Sequence, residues 1–328
     1  MPERIPLRKV DTEREDRDLR DGFADRLARS RAAEILALCA NWQPDLIVCD
    51  EVDFGAIVAA ERLELPYATV LVILEGSFVR IGLISEPLNK LRAEHGLPPD
   101  PELTMLTRYL VLSPAPPSYR NPAFPLPATA HSIHPLPPAS TMDDALPSWV
   151  SQMPDAPTIY FTLGTVFHLE SGDLFSRVLT GLHDLPINVI ATTGREIDPA
   201  EFGPQPAHIH IERYIPQALI LPRCHAAVTH GGSGSVIGAL AHGLPMVLIP
   251  IGADQPQNAA RCEALGVARV LDAVDATPDT IREAVTTVLQ DLSYRQAAER
   301  LRDEIAALSP PAHAVKLLER LATEKRPL

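Results

Sequence analysis

Between Ser113 and Ser140 the chain reads SPAPPSYRNPAFPLPATAHSIHPLPPAS. Each proline fixes its own φ, lacks an N–H and pushes the residue before it out of helical space. Neither a helix interior nor a central strand persists in such a stretch, apart from one short extended piece at AHSIHPL. The segment therefore closes one domain and links it to the next, and the expected division is 1–139 and 140–328. With 328 residues, 46% of them hydrophobic, the chain has material for a core on each side.

Both sides carry the same alternation. Before the proline block, DRDLRDGFADRLARSRAAEILALCANWQ has helical periodicity, PDLIVCDEVD is a short apolar run ending in acids, FGAIVAAERLEL is helical and PYATVLVIL is a strand. After it come strand PTIYFTLGTVF, helix GDLFSRVLTGLHDL, strands PINVIATTG and HIHIERYI, a turn at PQALILPRC, strand HAAVTH, helix SGSVIGALAHG and strand LPMVLIPI, then helices to the end. The strands are apolar without an in-and-out rhythm, which marks parallel sheets covered on both faces. The expected fold class is α/β, two doubly wound domains in tandem.

Charge and cysteine usage exclude several classes of function. A net charge of −13 argues against a nucleic-acid surface, and any anionic ligand must be held by local geometry. Cys39, Cys49, Cys224 and Cys262 form neither a disulfide framework nor a C-x-x-C pair, so they read as apolar filler in a reducing, cytoplasmic setting. The N-terminal residues are charged throughout, unlike a signal peptide, and no apolar run has the length of a membrane span. No His/Asp cluster has metal-ligand spacing. Trp42 and Trp149 read as packing anchors, and His95 with Gly96 as a helix C-terminus.

The stretch HGGSGS, from His230 to Ser235, carries chemistry. Strand HAAVTH delivers a glycine-rich turn to a helix start, where free backbone N–H groups and the positive end of the helix dipole face an anion. A diphosphate suits that site. Ser235 adds a hydroxyl, and His230, at the carboxyl end of its strand, can donate to the same oxygens. The bland alternative is a tight strand-to-helix turn and nothing more. A nicotinamide site is the rival, since Gly232, Gly234 and Gly238 nearly match the dinucleotide fingerprint. That fingerprint expects an acid at the end of the next strand, and LPMVLIPI ends without one. Asp254 and Gln255 follow on a loop instead, an acceptor and an amide suited to several sugar hydroxyls.

With these residues in view, the chain resembles the UDP-glycosyltransferase superfamily of GT-B fold, in the bacterial natural-product branch that decorates macrolides. The likeness runs from QPDLIVCDEVDFGAIVAAERLELP and PLNKLRAEHGLPP through IYFTLGT and ERYIPQALILPRCHAAVTHGGSGS to GLPMVLIPIGADQPQNAARCEALGV and LRDEIAAL. The resemblance implies two Rossmann-like domains facing a cleft, the N-terminal one binding the acceptor. It implies that His230, Gly232, Ser233, Gly234 and Ser235 surround a donor diphosphate, with Gly164 and Thr165 approaching from the first strand of the second domain. It places Tyr214 against the base, Ile215 at the base edge with Gln217 following, and Asp254 with Gln255 on the donor sugar. No metal and no cofactor beyond the nucleotide sugar are implied.

Two departures stand out. Gly238 occupies a position where many relatives have a ribose-binding glutamate. The family's general base is a histidine on the first loop of the N-terminal domain, and no residue of this chain matches it. Asp50, after LIVC, matches the acid that orients that histidine, with Glu51 and Asp53 as alternatives; all three also read as solvated acids at a strand end. About three strands can be placed before Ser113, half of a doubly wound domain, which makes LIVC an exposed edge. The gene start set too far downstream, a separate partner chain, or pairing of two copies would each account for this, the first being favoured.

The resulting expectation is an inverting, metal-independent transferase moving a hexose from a UDP- or dTDP-sugar to a hydroxyl of a small apolar acceptor. LEGSFVRIGLISEPLNKLR would form part of the acceptor wall by resemblance. The alternative from another class is a nucleotide-sugar-binding module without turnover that acts as a partner or regulator. A sugar-nucleotide epimerase of the same fold fits less well, because its motifs differ from HGGSGS and ADQ.

Overall fold

A computed structural model describes residues 5–135, 146–165 and 168–328. The chain forms two compact units. One comprises Asp11–Pro135 and Ala307–Leu328; the other takes residues 5–10 and the described part of Leu136–Ala306. The expected boundary at 139/140 lies outside the described residues. The division departs from that expectation at both chain ends, where short segments belong to the unit remote from them in sequence.

The first unit is a four-stranded parallel sheet in the order β1 (Ile47–Asp50), β2 (Tyr67–Val70), β3 (Leu110–Ser113), β4 (Ala130–Ser132). Alternate side chains of β2 enter different cores, which is why its sequence shows no polar face. Tyr67 packs with Phe54, Ile57, Ile84 and Leu88 from helices Phe54–Arg62 and Ile81–Glu94. Ala68 packs with Leu110, Leu112 and Ile133 beneath Ala314, Leu317 and Leu321 of helix Pro311–Glu324. That last helix thus serves the first sheet.

The strand expected at LIVC is indeed a sheet edge: among the described residues β1 pairs only with β2, and Val48 is 48% exposed. The proline block is more structured than a linker. AHSIHPL supplies β4, paired with β3 through Val111 and Ala130, and Tyr119 is fully buried. Trp42 is not the anchor expected. It lies in the turn beyond helix Ala28–Cys39 and is 60% exposed, since the helix that would have carried it inward has ended. His95 and Gly96 do end helix Ile81–Glu94, Gly96 taking φ +72°.

The second unit holds six parallel strands: β5 (Thr158–Thr162), β6 (Asn188–Thr192), β7 (Ile209–Glu212), β8 (Ala226–Thr229), β9 (Met246–Leu248) and β10 (Ala268–Val270). Their order is β10-β9-β8-β5-β6-β7. Residues 268–270, expected within a helical run, form an edge strand too short to show a period. The sheet is wound outward in opposite directions from β5 and β8, so a crevice opens where those two neighbours end. Their register pairs Thr162 with Thr229, bringing Leu163-Gly164 alongside His230-Gly231.

Candidate functional site

The crevice at β5 and β8 is where the glycine-rich turn lies. Helix Ser233–Ala241 begins directly after it, with Gly232 as its N-cap and no side-chain cap. The first backbone bond of the helix runs from the Val236 amide to the Gly232 carbonyl, at 3.0 Å. The amides of residues 233–235 therefore have no carbonyl within the helix, and they carry the positive end of its dipole. No acidic residue in that first turn neutralises it.

His230 is 9% exposed and sits in a slot built by glycines. A Cβ on Gly164 would lie 2.5 Å from Cε1 of its ring, and one on Gly232 would lie 2.6 Å from Nε2. Gly164 also takes φ +78°, a left-handed conformation that favours glycine. The Nδ1 of His230 shares a 3.1 Å hydrogen bond with the Thr229 hydroxyl. Burial pushes its pKa down to about 4, so at neutral pH the ring is uncharged and offers a hydrogen bond rather than a charge. The Gly164 amide donates to Thr162 Oγ1 at 3.2 Å, while Thr165 is exposed at the rim.

The two serines of the turn differ. Ser235 is half-buried and its hydroxyl has no hydrogen-bond partner among the described residues. Ser233, expected on the diphosphate, donates its hydroxyl to Asp254 Oδ2 at 2.6 Å and is 8% exposed. Its hydroxyl is committed to the loop after β9, because the first helical turn packs against that loop.

That loop holds the pair expected on a sugar. Asp254 is half-buried at the N-cap of helix Gln255–Ala264 but makes no capping bond of its own. Gln255 is 2% exposed, and its Oε1 accepts from the amides of Ile251 (2.8 Å) and Gly252 (3.1 Å). Gln255 thus shapes the loop through its side-chain oxygen. Ala253 has φ +54°, a left-handed conformation unusual for a residue with a Cβ.

Tyr214, after β7, is 54% exposed, and Ile215 beside it is 3% exposed, an outward ring above a buried neighbour. Gln217 Nε2 donates to the Tyr160 hydroxyl at 3.4 Å, and that hydroxyl bonds Thr192 Oγ1 at 2.9 Å. A Cβ on Gly238 would lie 3.5 Å from Gln217 Oε1, so these two positions share one wall. Trp149 stacks on His210 at 4.0 Å and donates to Glu212 at 3.1 Å, a packing anchor on β7 as expected.

Asp50 lies in the other unit, at the carboxyl end of β1. Its Oδ1 accepts from the amides of Val52 and Asp53, each at 2.9 Å, closing a turn, and the residue is exposed. Asp53 caps helix Phe54–Arg62 through the Ala56 amide. Glu51 is not the solvated acid expected: it accepts from the amides of Val72 and Ile73, and burial raises its pKa to about 7.

Sequence reasoning missed Asn258 and Thr229. Asn258 is fully buried, with Nδ2 within 3.0 Å of the Gly231 carbonyl, 3.1 Å of Ser233 Oγ and 2.8 Å of Asp254 Oδ2. A polar residue three places after Gln255 was the available signal; two of its acceptors, the Gly231 carbonyl and Ser233 Oγ, lie more than twenty residues upstream and were not visible. All four cysteines are free thiols, and Cys39, Cys224 and Cys262 are buried. No helix among the described residues is long and apolar enough to cross a membrane.

Comparison with known proteins matches this arrangement to one group. Residues 176–321 match the model of the erythromycin biosynthesis protein CIII-like C-terminal domain. The 4'-demethylrebeccamycin synthase of Lentzea aerocolonigenes is 30% identical over 331 residues, spanning 90% of this chain and 78% of the relative. The 10-deoxymethynolide desosaminyltransferase of Streptomyces venezuelae is 30% identical over 318 residues, spanning 90% and 72%. Among solved structures, spinosyn rhamnosyltransferase SpnG complexed with thymidine diphosphate superposes with a TM-score of 0.78 at 26% identity, covering 92% of this chain and 81% of that one.

Proposed function

The chain belongs to the bacterial natural-product glycosyltransferases of GT-B fold, and on that premise we propose that it moves a hexose from a thymidine or uridine diphosphate sugar to a hydroxyl of a small apolar acceptor, with inversion. The thymidine nucleotide is favoured, since that is what the SpnG complex contains. The observation that carries the reading is helix Ser233–Ala241, whose start has no side-chain cap, at the β5/β8 crevice, with an uncharged imidazole held beside it.

In this reading the diphosphate accepts from the amides of residues 233–235 and from the Ser235 hydroxyl, and His230 Nε2–H donates to the same oxygens. The acceptor oxygen forms a bond to the anomeric carbon as the bond from that carbon to the β-phosphate oxygen breaks. Charge then grows on the leaving diphosphate, where the helix end and the imidazole are already oriented to meet it. A metal is unnecessary to that step, because those groups supply the stabilisation. Tyr214 offers its face to the base, Gln217 and Gly238 form the ribose side, and Asp254 accepts from the hexose hydroxyls. Asp50 serves as the acid that orients the general base taking the acceptor hydroxyl's proton, a base to which no residue of this chain is assigned. Four cysteines in no disulfide fit a reducing compartment such as the cytoplasm.

Calorimetry with dTDP- and UDP-sugars, followed by chromatography of mixtures with polyketide acceptors, tests this. Binding with a β-linked product from an α-linked donor, unchanged by EDTA, is the expected result. Absence of heat with every donor defeats the reading. Binding without any product leaves the module that binds but does not turn over.

A further inference from the structure

An aspartate at a helix N-cap ordinarily turns its carboxylate back onto the first amides of its own helix. Asp254 does not. Its Oδ2 instead accepts from Ser233 Oγ, across 21 residues of sequence, and from Asn258 Nδ2, one turn along the helix. The same Asn258 Nδ2 lies within reach of the Gly231 carbonyl and of Ser233 Oγ. A side chain with two N–H donors thus stands among three acceptors: one on the phosphate turn, one on the first residue of the phosphate helix, one on the loop after β9.

The cost of keeping such a cluster is informative. Asn258 is fully buried, where an unsatisfied amide would be destabilising. The loop it grips is constrained again on its other side, by the two bonds into Gln255 Oε1 and by the left-handed Ala253. These constraints fix one carboxylate oxygen and leave Oδ1 with no partner among the described residues.

We propose that Asn258 is a positioning residue which, with the Ser233 hydroxyl, locks the Asp254 carboxylate to the phosphate turn, so that hexose and diphosphate are recognised by one rigid piece. The proposal rests on the donor site described above and deepens it. Asn258 touches no ligand; it acts through Asp254. Ser233 acts with it and spends no hydroxyl on the phosphates.

The test is the ratio of two dissociation constants, for dTDP-glucose and for dTDP, with UDP-glucose and UDP run alongside. Ser233→Ala should leave the diphosphate constant within about twofold and weaken the sugar nucleotide about fivefold, the usual size of one lost hydrogen bond. Asn258→Ala should move the ratio the same way, and adding Asp254→Ala to it should cost clearly less than Asp254→Ala does alone, because the carboxylate is already unlocked. Equal weakening of both ligands by Ser233→Ala places its hydroxyl on the phosphates and overturns the proposal. So does a full additional loss from Asp254→Ala in the double variant. If Asn258→Ala fails to fold, Ser233→Ala alone decides, since it trims one atom at a helix start. A wild-type protein that binds none of the four ligands removes the donor site itself, and the lock with it.

Discussion

A Cβ at position 164 would stand 2.5 Å from the His230 ring, closer than any side chain tolerates. Gly164→Ala should therefore destabilise by about 1–3 kcal/mol and abolish nucleotide binding, because either the ring or the turn must move. Pairing it with His230→Ala separates the two causes: the double variant should recover part of the lost stability, leaving only the strain of φ +78° at residue 164. Urea unfolding of the four proteins measures this, and simple additivity would show that the ring does not fill the slot. The same residues show what a sequence exposes. His230 and its glycines were legible because residue type and spacing alone demand a turn into a helix. The directions of Ser233 and Gln255 were not, since a hydroxyl or amide declares a capacity to bond and not its partner. Asn258 was invisible because two of its partners, Gly231 and Ser233, become neighbours only when β8 and β9 lie side by side.

Long amphipathic or apolar segments were readable, and so was the short extended piece at AHSIHPL, whereas the edge strand Ala268–Val270 was not. It is set by pairing with β9, and no period can be read in so few positions. Acids at the end of β1 gave a comparable difficulty: Asp50 and Asp53 close turns, while Glu51 ties β1 to the segment after β2 through the amides of Val72 and Ile73. Burial raises the Glu51 pKa from 4.5 to about 7, with the Arg120 guanidinium opposing the shift and Asp50 adding to it. A carboxyl whose native pKa is raised holds its proton longer in the folded state. Its contribution is full below the unfolded pKa and is lost as pH rises through about 7. Glu51→Gln keeps an acceptor for both amides and cannot ionise, so its stability relative to wild type should rise on the order of 2–3 kcal/mol between pH 4 and 8. Thermal melts across that range check the sign; a constant difference would show that Glu51 ionises normally.

At the scale of the whole molecule, the proline block did announce two units, but not that the chain re-enters the first one at its end. Helix Pro311–Glu324 was readable as an amphipathic helix; which sheet it covers depends on a return path that no local pattern encodes. Leu317 and Leu321 are 2% and 0% exposed against β3. Leu321→Ala should cost about 2–4 kcal/mol, and the loss should fall on the four-stranded unit. Hydrogen exchange would show faster opening of β2, β3 and β4, with β5 to β10 and the affinity for dTDP unchanged. Uniform acceleration over both sheets would contradict that assignment.

The returning helix also governs how halves could be traded between relatives. A chimaera that joins the front of one transferase to the back of another at a single crossover in the proline block would graft a foreign lid onto β3, with leucines shaped for a different surface. Swapping the nucleotide-binding half cleanly takes two further junctions, near residues 10 and 306, so that the native closing helix travels with its own sheet.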